Sequence, residues 1–267
     1  MLIKDNGISK RTLAKLKRID NGITRDGRLI RSVDAVSRGD RITLLLPNES
    51  LTEPNPDLNV KTAYESDRFI IFDKPVNMPV HPSVKHRLDT LGNHFGYVCP
   101  GLTFRPVNRL DKDTSGLCAA AKDIICASAL QKGIKKTYYA VVTGNVSGSG
   151  VIDAPIARER ESIIKRVVRE DGKKAVTHYK AIFTGKKYSL LEIELETGRT
   201  HQIRVHLSYI GHPVLGDDVY GKAFEGIEGQ CLHAGKIGFV HPETGKYMEF
   251  ESPLPDYFTG IIKKIKH

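Results

Sequence analysis

Apolar and polar positions divide the chain into two unequal parts. From Arg68 onward, short apolar runs are cut by turn residues at regular intervals. "RFIIFDKP" (Arg68–Pro75) reads as a strand stopped by proline, and "GLCAAAKD" (Gly116–Asp123) as another. "KKTYYAVVTG" (Lys135–Gly144) is β-branched and aromatic, which favours a strand. "AVTHYKAIFTG" (Ala175–Gly185) and "YSLLEIELETG" (Tyr188–Gly198) alternate apolar and polar, as antiparallel strands with one wet face do. Helical patterns fall between them, in "RLDTLGNHF" (Arg87–Phe95), "DIICASALQKG" (Asp123–Gly133) and "THQIRVHLSYIG" (Thr200–Gly211). The class predicted for 62–267 is α+β.

The first 46 residues follow a different rhythm. Ser9 is placed to cap a helix running to about Ile19, with Ile8 and Leu13 at the flanking apolar positions. Leu13, Leu16 and Ile19 form its apolar stripe; Lys10, Arg11, Lys15, Lys17 and Arg18 cover the rest. Asp26-Gly27 marks a hairpin, and "RITLLLP" (Arg41–Pro47) a closing strand. Residues 47–61, with three prolines and no periodicity, read as a linker.

Charge sharpens this division. The whole chain of 267 residues carries a formal +10. Residues 1–50 hold 11 Lys and Arg against 6 Asp and Glu, which is half of that excess. A solvated helix face alone would explain some of it. The concentration beside several turns points to RNA as partner. No apolar run approaches the ~18 residues of a membrane span, and the N-terminus lacks the core of an export signal. A cytoplasmic protein is expected, with a monomer as the default. The four cysteines form no CxxC pair, and His201 and His206 stand five apart, unlike the HExxH spacing of zinc proteases. No phosphate-loop pattern occurs, so neither metal nor cofactor is expected.

Two clusters carry candidate chemistry. "RPVNRLDKDTSGL" (Arg105–Leu117) sets Asp111 and Asp113 among basic residues. A carboxylate flanked by arginines is held ionised and can serve as nucleophile or base, though a structural ion pair has the same composition. "ETGRTHQIRVHLSYIGHPVLGDDVYG" (Glu196–Gly221) ends a strand and then offers Arg199, His201, Arg204 and Ser208, the last three at helical spacing.

Together these segments resemble the RluA-type pseudouridine synthases. "NRLDKDTSGL" is similar to the family's HRLDxxTSGL motif, "IIFDKPVNMPVHP" to its first motif, and "KTYYAVVTG" to its tyrosine strand. The Glu196–Gly221 segment and "LHAGKIGFVHPETG" match its later motifs, in family order. The first fifty residues resemble, more loosely, a small S-four-like RNA-binding domain. The resemblance implies a mixed, mostly antiparallel catalytic sheet with a central cleft, preceded by that small α/β domain. It implies isomerisation of uridine to pseudouridine in structured RNA, ribosomal or transfer, without a cofactor. By motif position Asp111 is the catalyst, Tyr138 stacks on the flipped base, Arg199 pairs with the aspartate and Leu195 forms an apolar wall. Lys74, Arg109, His201 and Arg204 fall to RNA or loop contacts, and Asp113 to a variable position. Asn108 departs from the family, which has histidine there. Two other readings remain: an RNA-binding or assembly factor without catalysis, and a glycoside hydrolase pairing Asp111 with Asp217 or Asp218.

Overall fold

The computed structural model describes residues 8, 10–46, 51–160, 164–227 and 229–266. The Ser9 cap and the side chains of Lys10 and Arg11 lie outside the described residues. Helix α1 (Lys10–Leu16) buries Thr12 and Leu16, one turn apart, and leaves Lys17 and Arg18 exposed just past its end. Strands β1 (Ile23–Arg25), β2 (Arg28–Leu29) and β3 (Ile42–Leu44) form a separate antiparallel sheet in the order β2-β1-β3. Asp26 and Gly27, both with positive φ, make the turn between β1 and β2.

The second sheet has ten strands. They are β4 (Lys61–Glu65), β5 (Phe69–Lys74), β6 (Arg105–Pro106), β7 (Ser115–Ala121), β8 (Lys135–Thr143), β9 (Ser149–Asp153), β12 (Val176–Thr184), β13 (Tyr188–Leu195), β14 (Leu232–Val240) and β15 (Tyr247–Glu251). The order is β4-β5-β7-β14-β8-β13-β12-β9, with β6 on β7 and β15 on β14. All pairs are antiparallel except β7 with β14, so the sheet is mixed and mostly antiparallel. Between β9 and β12 a small hairpin, β10 (Ile156–Arg158) and β11 (Arg166–Val168), forms its own two-stranded sheet.

Helices cover both faces of the sheet's first half. Side chains along β7 alternate between two cores: Cys118 and Ala120 pack in one with Phe72 and Phe95, Leu117 and Ala119 in the other with Phe69 and Leu130. Helix α2 (Leu91–Val98) closes the first, and α3 (Ile124–Gln131) the second. That is why "GLCAAA" shows no polar alternation: every residue of β7 is buried. Thr90 and Asn93 form a reciprocal cap at the start of α2. Asp123 caps α3 by accepting from the Ile125 and Cys126 amides, both at 2.9 Å. Helices α4 (Gln202–Tyr209) and α5 (Asp256–Lys266) complete the chain.

Residues 51–60 contain no helix or strand, and they are fastened down. Asn93 donates to the Glu53 carbonyl at 2.7 Å, the Asn55 side chain donates to Leu88 at 2.9 Å, and Val60 is buried. A side chain at Gly96 would come within 2.5 Å of the Thr52 carbonyl, so glycine lets this segment lie against α2. Lys61, at the end of the expected linker, already belongs to β4.

Candidate active site

The segment between β6 and β7 is held on three sides. At its start the buried Asn108 lies beside a gap in the β7 ladder. On that edge β14 pairs with Ser115 and Gly116, and β6 with Ala120 and Ala121. In between, the Asn108 amide donates to Leu117 O at 3.0 Å and accepts from Ala119 N at 2.9 Å. A side-chain carboxamide has the donor and acceptor of a peptide group, so it completes the edge. At its end, Gly116 adopts φ 105°, and a Cβ there would stand 2.3 Å from Ala234 O. Only glycine lets β7 enter alongside β14 at this point.

Lys74 supplies the third anchor. Its Nζ donates to the carbonyls of Pro75 at 2.7 Å, Met78 at 2.8 Å and Lys112 at 3.0 Å. Burial pushes its pKa down to about 8, while three carbonyls, one per ammonium proton, favour the charged form. Lys74 is 1% exposed. It fastens the loop that carries Asp111, so of the RNA or loop contacts expected of Lys74 the structure shows the loop contact.

Asp111 therefore stands on a fixed loop, about a quarter exposed. Its Oδ2 accepts from Arg204 Nη1 at 3.1 Å. The same guanidinium donates to Asp217 through Nε at 2.6 Å and Nη2 at 2.9 Å. Asp217 is wholly buried and also accepts from the amides of Val219 and Tyr220. Burial opposes the charge on Arg204, but its bonds to Asp217 and the two nearby carboxylates raise its pKa above the ordinary value. The Tyr220 ring lies under the guanidinium, 5.1 Å from its centre.

These contacts correct the sequence reading. The guanidinium on Asp111 is that of Arg204, which was expected to hold RNA or a loop. Arg199, expected to pair with Asp111, is exposed and donates through Nε to the Lys174 carbonyl at 2.9 Å. Asp217 lies behind Arg204, bound to its far edge, so it cannot face Asp111 across a substrate as a second glycosidase carboxylate would. Asp113 makes no bond to Arg204; it packs against Gly229.

His201 falls one residue before α4, in the left-handed region at φ 57°, where few side chains other than glycine settle. Its Nδ1 meets the Tyr220 hydroxyl at 2.9 Å, and its Nε2 lies 3.9 Å from Asp111 Oδ2. The Tyr220 oxygen accepts from the Arg166 amide at 2.8 Å, leaving the hydroxyl proton for His201 Nδ1. That arrangement puts the remaining imidazole proton on Nε2, toward the carboxylate. Burial lowers the His201 pKa most, and the charges of Arg204 and Arg166 act in the same direction against Asp111. His201 thus lies in the cleft beside Asp111.

Asp111, Tyr138, Leu195, Arg199, His201 and Arg204 line one narrow cleft, whose rim includes the exposed Arg109. Tyr138 comes from the middle of β8, between Ile193 and Ala234. Burial raises its pKa, and the charge of Asp111 adds to the effect, so its hydroxyl stays protonated. Gln202 ties the cleft wall together, accepting from Thr197 Oγ1 and Arg199 N and donating to Val176 O. Tyr220 and the structural part played by Asp217 escaped the sequence reading. The signal available was the run "LGDDVYG", where two acids and a tyrosine follow a helix rich in cationic groups.

A carboxylate clamped by a buried arginine under a tyrosine, on a sheet of this order, defines a class. The chain belongs to the RNA pseudouridylate synthase family, whose model matches residues 68–209. It is 38% identical over 263 residues to the RNA pseudouridine synthase YlyB of Bacillus subtilis, covering 92% of this chain and 86% of that one. It is 35% identical over 271 residues to the ribosomal large subunit pseudouridine synthase D of Pseudomonas aeruginosa, covering 92% and 85%. In fold it is similar to human RNA pseudouridylate synthase domain containing 1, with a TM-score of 0.62 over 80% of this chain and 97% of that one, at 24% identity. Among the described residues no helix is long and apolar enough to cross a membrane.

Proposed function

We propose that the chain isomerises uridine to pseudouridine in structured ribosomal RNA, with Asp111 as the catalytic group and no cofactor. The observation that carries this is the single hydrogen bond from Arg204 to Asp111 Oδ2. It fixes one oxygen, while Oδ1 accepts no hydrogen bond from any described residue and is left for substrate. A carboxylate so presented can attack the anomeric carbon or take a proton from the ribose. Either route detaches uracil, which turns and reattaches through carbon. Tyr138 offers a ring face for the detached base, and its protonated hydroxyl lies beside the departing proton's site. Leu195 and Leu232 supply apolar wall. The target base must leave its stack to enter, at a cost of a few kcal/mol that contacts to phosphates offset. Residues 8–46, basic and with a sheet of their own, serve as the second RNA-binding unit.

Pseudouridine synthase D of Pseudomonas aeruginosa is, by its name, an enzyme of the large ribosomal subunit, which favours ribosomal over transfer RNA as substrate. The test is Asp111→Asn with unmodified large-subunit ribosomal RNA, read by pseudouridine-specific carbodiimide labelling. Product formation should vanish while RNA affinity stays near wild type. Product at the wild-type rate would refute the role of Asp111. A wild-type protein that binds RNA and never forms pseudouridine would instead support the assembly-factor reading.

A further inference from the structure

The β10–β11 hairpin carries several charges, and most are answered locally. Lys165 pairs with Glu159 at 3.4 Å, and Arg169 with Asp171. Arg166 differs. Its side chain makes no hydrogen bond or ion pair with any described residue, and its Nη1 is buried without a partner. An unmet buried donor is costly, more so when charged, so folded proteins rarely keep one without use.

Its position narrows the use. Arg166 and Val168 are two residues apart on β11 and so share one face. Val168 and Tyr220 both pack against the cluster of Ile156, Ala175 and Val205, the last from α4, which places that face of β11 toward α4. The Arg166 amide is bonded to Tyr220, Tyr220 to His201, and His201 Nε2 lies 3.9 Å from Asp111. The Arg166 charge bears on the His201 imidazole directly. Arg166 thus sits beside the cleft, a few short contacts from the catalytic carboxylate.

The charges around it select an anion. Arg204 is matched by Asp111 and Asp217. Burial and neighbouring cations keep His201 neutral. Arg199 is bonded to a carbonyl, with no acid against it among the described residues, and Arg109 is exposed at the rim. The cleft margin on this side therefore carries an excess of guanidinium charge. Planar guanidinium forks match phosphate oxygens with paired hydrogen bonds.

Resting on the reading of Asp111 as the catalyst, we infer that Arg166 binds a backbone phosphate of the nucleotide being modified or its immediate neighbour. It is a substrate-binding residue delivered by the β10–β11 hairpin, and the phosphate meets the part-exposed guanidinium, which has no acceptor among the described residues.

The test compares wild type, Arg166→Gln and Arg166→Lys on an in-vitro-transcribed large-subunit ribosomal RNA. Affinity is measured over a range of KCl concentrations, alongside turnover at saturating RNA. For Arg166→Gln the expected results are a tenfold or greater loss in affinity, on the order of one charged contact, and a slope of log K against log salt smaller by about 1. The loss in kcat/KM should fall mainly on KM, and thermal stability should not fall, because no partner among the described residues is lost. Arg166→Lys should restore the salt slope but only part of the affinity. Unchanged affinity and slope in Arg166→Gln would overturn the inference. So would a slower saturated rate or a lower Tm with the slope intact, since those mark support of Tyr220 and His201. If the wild type forms no pseudouridine, the catalytic reading fails, while the salt slope still reports on Arg166.

Discussion

Arg204 joins two acids with different duties. Asp217 takes two of its hydrogen bonds and fixes the guanidinium; Asp111 takes the third and is presented to the cleft. Lysine cannot span both, because it offers a point charge in place of a fork. Arg204→Lys should lower turnover about 100-fold or more through misplacement of Asp111, and breaking the buried pair should also lower Tm. Arg199→Lys should cost less than about tenfold, mainly in KM. Steady-state kinetics on both variants checks the order, and a larger fall in turnover for Arg199→Lys would restore that residue to the aspartate. The family resemblance led to Arg199 by motif position, with a second arginine five residues on at the same strand-to-helix junction. Which one points inward depends on where the helix begins. Gln202 starts it, His201 turns left-handed before it, and the buried acid that captures Arg204 lies 13 residues on. The places of Asp111 and Tyr138 in the cleft were legible because each lies inside a distinct motif.

Among the elements, β7 shows how a strand edge can be finished without a strand. The Asn108 side chain fills the interval between β14 and β6. Asn108→Leu would leave Leu117 O and Ala119 N buried and unpaired, at about 1–3 kcal/mol each. Denaturant unfolding should show a loss of roughly 2–5 kcal/mol on that basis. Asn108→Asp should also destabilise, since a carboxylate cannot donate to Leu117 O. If Asn108→Leu unfolds at the wild-type midpoint, the amide does not support the edge. Strands with one wet face, such as β12 and β13, were readable from their alternation. β14 was not, because it is buried at nearly every position and contains two glycines, so neither period nor propensity marks it. The hairpin β10–β11 was missed for another reason: three-residue strands set among charges give no period to count.

At the scale of the whole molecule, buried histidines set an acid limit. His206 and His233 are essentially inaccessible, and burial lowers the pKa of each, as it does for His201. His206 Nε2 donates to Ala154 O, and His233 Nε2 to Ser252 O, so each holds its Nδ1 toward a hydroxyl as acceptor. Their folded pKa values lie below the unfolded value of 6.5. As pH falls below 6.5 the unfolded chain therefore binds protons first, and stability present above that pH is progressively lost. Thermal unfolding at pH 7.5, 6.5 and 5.5 should give a Tm that is steady between the first two and lower at the third. His206→Gln and His233→Gln should flatten that fall; an equal fall in both variants would assign it to other groups.

The one parallel pairing also governs when this protein can exist in finished form. Among the described residues β14, drawn from residues 232–240, is the only strand joining β4-β5-β7 to β8-β13-β12-β9. Asp111 belongs to the first group and Tyr138 to the second, so a nascent chain holds them on two half-sheets with open edges. Residues 232–240 must insert between strands made before them, a non-local step that is slow in folding. Until then the unpaired edges of β7 and β8 invite the wrong partners. The enzyme should therefore acquire its site all at once, after synthesis of residue 240, and a chain ending before β14 should be captured by chaperones and not accumulate as a partly active fragment.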